Sequence, residues 1–164
     1  MGEKKVRMQH LKLLRPLRVD IELLELAFES AELGSSFYLD IATGGVVRMA
    51  DGDLAVAEGG SSAARMRARR ILAGIGQRYL PIPQDDPSDG WGDMAAYIDT
   101  LDSASLQHRL RACIRGKQPI RRFRCLLDET VGLEEWSAFQ QGRTRERILD
   151  WLVNHGFAGF YEAD

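Results

Sequence analysis

The chain has 164 residues, 45% of them hydrophobic and 28% charged, and a formal net charge of −2. That length suits one compact core able to bury roughly 70% of the surface its unfolded form exposes, so neither a disulfide nor a metal is required to hold it. The composition is too apolar for wholesale disorder, and the near-balanced charge gives no molecule-wide pull toward nucleic acid or anionic lipid, so any basic site is local.

Residues 1–18 carry Lys4, Lys5, Arg7, Lys12, Arg15 and Arg18 against Glu3, and Leu11, Leu13 and Leu14 form no helical stripe. This predicts a basic, weakly ordered N-terminal arm, with Met8 as an alternative start, ahead of a single domain over residues 19–164. No cleavable signal opens the chain, and its apolar runs fall far short of the roughly 20 residues of a membrane span. A cytoplasmic location is expected, with Cys113 and Cys125 reduced and buried as small hydrophobes.

From Asp20 the pattern turns helical. Ile21, Leu24, Leu26 and Phe28 recur on one face behind Asp20 as N-cap, which predicts a helix over 21–31 with Gly34 beyond its end. Phe37, Leu39 and Ile41 then alternate with Tyr38 and Asp40 before Thr43-Gly44-Gly45 and the run Val46-Val47, the pattern of a hairpin. Asp51-Gly52-Asp53 signals a further turn, with a short strand expected over 54–56. A helix over 63–73 carries Arg65, Arg67, Arg69 and Arg70 around a narrow apolar side of Met66, Ile71 and Leu72. Residues 79–82 read as a strand, and Pro81 puts it at a sheet edge.

The remainder is helical. Trp91, Met94, Ala95, Ile98 and Leu101 form one stripe behind a cap at Ser88 or Asp89; Leu106, Leu110, Cys113 and Ile114 form another behind Ser103, stopped by Gly116. Pro119 suits the first position of a third helix with Ile120, Phe123, Leu126 and Leu127 facing the core. A long last helix over 133–154 points Trp136, Phe139, Ile148, Trp151 and Leu152 inward and closes at His155-Gly156, with Gly142 weakening its middle by about 1 kcal/mol relative to alanine. The expected fold class is α+β: an N-terminal helix, a small antiparallel sheet of three or four short strands, and a C-terminal cluster of four helices.

The segments VDIELLELAFES, FYLDIATGGVV, RYLPIP, MAAYIDTLDSASLQHRLRACIRGKQPIRRF and EEWSAFQQGRTRERILDWLVNHGF, in this order, resemble a bacterial group known as Uncharacterised Protein Family 0158. The resemblance spans nearly everything after residue 18 and implies a shared fold without an established activity. Gln118, Pro119 and Ile120 depart from the small residues and aromatic usual there, as do Gln140 and Gln141 from the acidic residue usual after the last helix's aromatic.

Catalytic and metal-binding spacings are absent from the sequence. The 3 histidines, His10, His108 and His155, stand apart, no GxSxG turn accompanies them, and neither cysteine has a nearby Cys-His pattern. Neither CxxC nor HExxH occurs, Asp51-Gly52-Asp53 and Asp85-Asp86 lack the donors of a calcium loop, and the paired glycines at 44–45 and 59–60 have no phosphate-loop lysine. No cofactor is expected, and the chain leans away from an enzyme, with Asp40 or Asp99 as the carboxylates a third, catalytic reading would use.

Arginines beside aromatics and apolar residues remain. Arg65, Arg69, Arg121, Arg122, Arg124, Arg143 and Arg147 form the candidate binding surface, although Arg143 with Glu146 and Arg147 with Asp150 stand at ion-pair spacing on one helix. The leading expectation is a non-catalytic protein-binding or regulatory module, whose partner is another protein or a second copy and not a membrane. The alternative is a nucleic-acid-binding module using the helix carrying Arg65 to Arg70 together with Arg121, Arg122 and Arg124.

Overall fold

A computed structural model describes residues 13–30, 33–53, 62–84 and 87–162. Contacts group the chain into two compact units, residues 1–84 with 146–164 and residues 85–145. The fold is α+β.

In the first unit, β2 (Ser35–Asp40) lies at the centre of a three-stranded antiparallel sheet, paired on one side with β3 (Val46–Ala50) and on the other with β4 (Tyr79–Pro81). Pro81 is on an edge strand, where its missing N–H leaves no ladder bond unmade. Strand alternation assigns neighbours in the chain to opposite faces. Leu39 and Leu80 join Ile21, Leu24, Ala27 and Phe28 of α1 (Ile21–Glu29) and Ile148 and Leu152 near the end of α6 (Glu134–Asn154), whereas Tyr38, Tyr79 and Met49 pack against Ala68 and Ile71 of α2 (Ser62–Ala73).

A second, two-stranded sheet pairs β1 (Arg15–Arg18) with β5 (Phe157–Phe160) in parallel, from Arg15 opposite Phe157 to Arg18 opposite Phe160. Residues 15–18 therefore form a strand inside the stretch expected to be a loose arm; residues 1–12 lie outside the described residues. Leu17 and Phe157 anchor the pair in the core, and Gly159 gives Leu152 and Leu149 of α6 room, since a side chain at 159 would overlap Leu152. Gly44, at φ +76°, brings the β2–β3 turn so close to the Arg18 carbonyl that a Cβ there would overlap it.

The second unit packs α3 (Pro87–Thr100), α4 (Ala104–Arg115), α5 (Pro119–Thr130) and the start of α6 around one core, containing Met94, Tyr97, Ile98, Leu106, Leu110, Phe123, Leu127 and Trp136. This is the expected cluster of four helices. Ser103 caps α4 by accepting from the Leu106 N–H, and Gly116 ends that helix with its own N–H on the Cys113 carbonyl.

Several local expectations are corrected. α1 ends at Glu29, and Leu26 is exposed because it lies off the face defined by Ile21, Leu24 and Phe28. Met66 and Leu72 are exposed; Ile71 is buried as expected, and Ala68 completes the buried face of α2 with it. α3 begins at Pro87, ahead of the caps expected at Ser88 or Asp89; proline tolerates a first turn because that N–H lacks a helical partner anyway. Trp91 stays 47% exposed, its indole N–H donating to the Ile114 carbonyl at 2.9 Å, which satisfies a free acceptor in the last turn of α4. The strand expected over 54–56 lies outside the described residues.

Candidate functional site

Asp40, 6% exposed at the end of β2, holds no free carboxylate. Its Oδ1 accepts from the Ala42 N–H and Arg78 Nε, both at 3.0 Å, and its Oδ2 meets an Arg78 terminal nitrogen at 2.8 Å. The Arg78 guanidinium holds the Asp40 carboxyl below its ordinary range against the opposing effect of burial, with the Ala42 N–H assisting. Arg78 also lies over the Tyr79 ring, 5.4 Å from its centroid. The pair is a clamp between β2 and the turn before β4. Asp99 is likewise engaged, by Arg111 at 2.6 Å on the surface. Among the described residues, no group of three or more His, Cys, Asp or Glu side chains could hold a metal ion.

In the second unit, Asp93 of α3 is buried and meets Arg143 of α6 at 3.2 Å. Arg143 is thus committed to a partner far away in sequence, where only Glu146 on its own helix was expected. Tyr97, Phe123, Trp136 and Phe139 interlock, mostly edge to face, with ring centroids 4.9–6.3 Å apart. The Tyr97 hydroxyl is buried there without a hydrogen-bond partner; burial, then repulsion from Glu135, push its pKa up. His155 ends α6 as expected of a capping imidazole, with Nδ1 2.8 Å from the Trp151 carbonyl.

The candidate arginines separate. Arg65 and Arg69 on α2 and Arg147 on α6 belong to the first unit; Arg121, Arg122, Arg124 and Arg143 belong to the second. Arg65, Arg143 and Arg147 are half-buried, whereas Arg69, Arg121, Arg122 and Arg124 are exposed. The structure brings Arg121 and Arg124 together at a shallow, mainly apolar depression of about 620 Å³ lined also by Gln118, Pro119, Ile120 and Cys125.

Local sequence explains this surface. Gln118 takes the left-handed conformation at φ 50° and ψ 56°, uncommon for a residue with a side chain, after which Pro119 starts α5 without a side-chain cap. Phe123, Leu126 and Leu127 turn inward. Ile120 does not: it is 61% exposed because a first-turn side chain leans toward the N-terminus, past the end of the packed face. Cys125 is exposed too, correcting the expectation of a second buried thiol, while Cys113 is buried. The signal for Cys125 was available, since it lies two residues after Phe123 and so nearly opposite it on a helix.

Comparison with known proteins follows the same outline. The family model described as "Uncharacterised protein family (UPF0158)" matches residues 14–164, and the chain belongs to that family. It is similar to "UPF0158 protein PA5073" of Pseudomonas aeruginosa strain PAO1, 25% identical over 143 residues that cover 87% of this chain and 86% of the relative. No solved structure matches the chain. No helix among the described residues is long and apolar enough to cross a membrane.

Proposed function

We propose that this protein is a non-catalytic protein-binding module whose contact surface is the N-terminal half of α5. The observation that supports the reading is the depression around Ile120, an apolar floor bordered by arginines that are not engaged elsewhere. The side chains of Arg121 and Arg124, which line the depression, make no ion pair or hydrogen bond with another described residue. An exposed aliphatic anchor beside guanidinium groups, which stack, hydrogen-bond and desolvate readily, is the chemistry that concentrates binding energy at protein interfaces. A cytoplasmic location fits two free thiols. The test is affinity capture with the wild-type chain and with a variant carrying Ile120→Glu and Arg124→Glu as baits. A protein bound by the first and lost by the second supports the reading; an identical set on both overturns it.

A second reading has its own observation. α2 carries Arg67, Arg69 and Arg70 exposed, with no acidic residue anywhere on the helix. Such a helix suits a phosphate backbone. Binding of a duplex or single-stranded oligonucleotide that weakens steeply with salt, and is lost on replacing these arginines by glutamine, would favour it over the protein-binding reading.

A further inference from the structure

The charges of α5 run backwards. A helix favours acids at its N-terminus and bases at its C-terminus, and the other helices comply at one end: Glu22 in α1, Asp89 in α3, Glu134 and Glu135 in α6, Arg70 in α2, Arg115 in α4. α5 has no acid in its first turn and no base in its last. Arg121, Arg122 and Arg124 occupy its N-terminal half, Asp128 and Glu129 its C-terminal end, and all five side chains are exposed. None of these side chains forms an ion pair or hydrogen bond with another described residue. Each end is disfavoured by its own helix; the Arg122 guanidinium lies beside Gly116 at the C-terminal end of α4, whereas Arg121, Arg124, Asp128 and Glu129 have no such neighbour among the described residues, an inconsistency of the kind that marks function.

One arrangement relieves both ends at once. In an antiparallel pair of α5 helices, the basic half of each lies beside the acidic end of the other, and the two dipoles oppose. Arg121, Cys125 and Asp128 stand at spacings of four and seven, on one outward ridge opposite the packed Phe123 face. A two-fold axis at Cys125 brings Arg121 beside Asp128 on one flank of the pair and Arg122 beside Glu129 on the other, each match occurring twice.

We propose that α5 pairs antiparallel with α5 of a second copy of this chain about a two-fold axis at Cys125, closing the depression around Ile120. This rests on the reading of α5 as a protein-binding surface and names its occupant. With helix axes 8–10 Å apart and Cα atoms about 2.3 Å from each axis, the two Cys125 Cα atoms come within reach of a disulfide. A helix of 12 residues is only about 18 Å long, so the contact is smaller than a standard interface of about 1,200–2,000 Å², and the dimer is concentration-dependent and salt-sensitive.

The test is sedimentation equilibrium of the purified full chain at low and high salt, with three charge variants: Arg121→Glu with Arg122→Glu, Asp128→Arg with Glu129→Arg, and all four together. All sites are exposed, and circular dichroism checks that each variant folds. Wild type should move from monomer to dimer with concentration, each half-reversal should weaken association at least about tenfold, and the full reversal should restore it to within about threefold. Air oxidation should link wild-type chains through Cys125 and leave the Cys125→Ser variant unlinked. A chain monomeric at every concentration, or a dimer indifferent to both half-reversals, overturns the proposal. If such a monomer still captures a different protein through α5, self-pairing fails while the protein-binding reading stands; if it captures nothing, both fail.

Discussion

At the scale of single residues, the polar groups removed from water make the sharpest statements. Asp40 is favoured in its charged form in the folded state, so its contribution to stability is present above about pH 4, the ordinary carboxylate range, and is lost as pH falls through its lowered value. Asp40→Asn should therefore destabilise the chain by about 1–3 kcal/mol at pH 7 and by less at pH 3, read by urea unfolding at both. Tyr97 runs the other way. Its raised pKa means that its contribution holds below about pH 10 and is lost as pH rises beyond it. Because its hydroxyl is buried without a partner, Tyr97→Phe should leave stability unchanged or raise it by about 1 kcal/mol, and should flatten the alkaline end of the stability profile. Gly44→Ala meets both an unfavourable positive φ and the Arg18 carbonyl, for a loss of about 2–4 kcal/mol in thermal or chemical unfolding.

At the scale of elements, legibility in the sequence tracks how local the signal is. Asp20, Ser103, Pro119 and Gly156 are punctuation that acts within one turn, and each stands where its helix begins or ends. The hairpin was equally readable because its turn and its alternation lie together. The β1–β5 pair was not: parallel partners share no turn, and Phe157–Phe160 offers little alternation to advertise a strand. Faces were harder than elements. Ile120, Leu26 and Trp91 lie at the margins of their stripes, where one hundred degrees of helix per residue leaves burial to be decided by the neighbours that tertiary packing supplies. The arginine surface was legible as composition but not as a partition, since Arg143 found Asp93 from another helix. Truncation of the chain through Arg18 tests the parallel pair: β5 amides should lose hydrogen-exchange protection while those of α4 and α5 keep theirs.

At the scale of the whole molecule, the division into two units is a division of labour in stability. Residues 85–145 have their own four-helix core and are continuous in sequence. Expressed alone, that segment should give a helical far-ultraviolet spectrum and a cooperative thermal transition; a spectrum without helix would show that its core depends on the rest of the chain. The α5 surface belongs to this segment, so whatever it binds should be retained by the fragment.

The parallel pairing of β1 with β5 also sets a timetable for biogenesis. A ribosome delivers Arg15–Arg18 early and Phe157–Phe160 only after all of residues 85–145 have emerged, so the helical segment can mature on the nascent chain while β1 still waits for its mate. During that interval the first strand is an unprotected edge, and its arginines, Arg15 and Arg18, bring the charge that discourages mispairing until the last strand arrives.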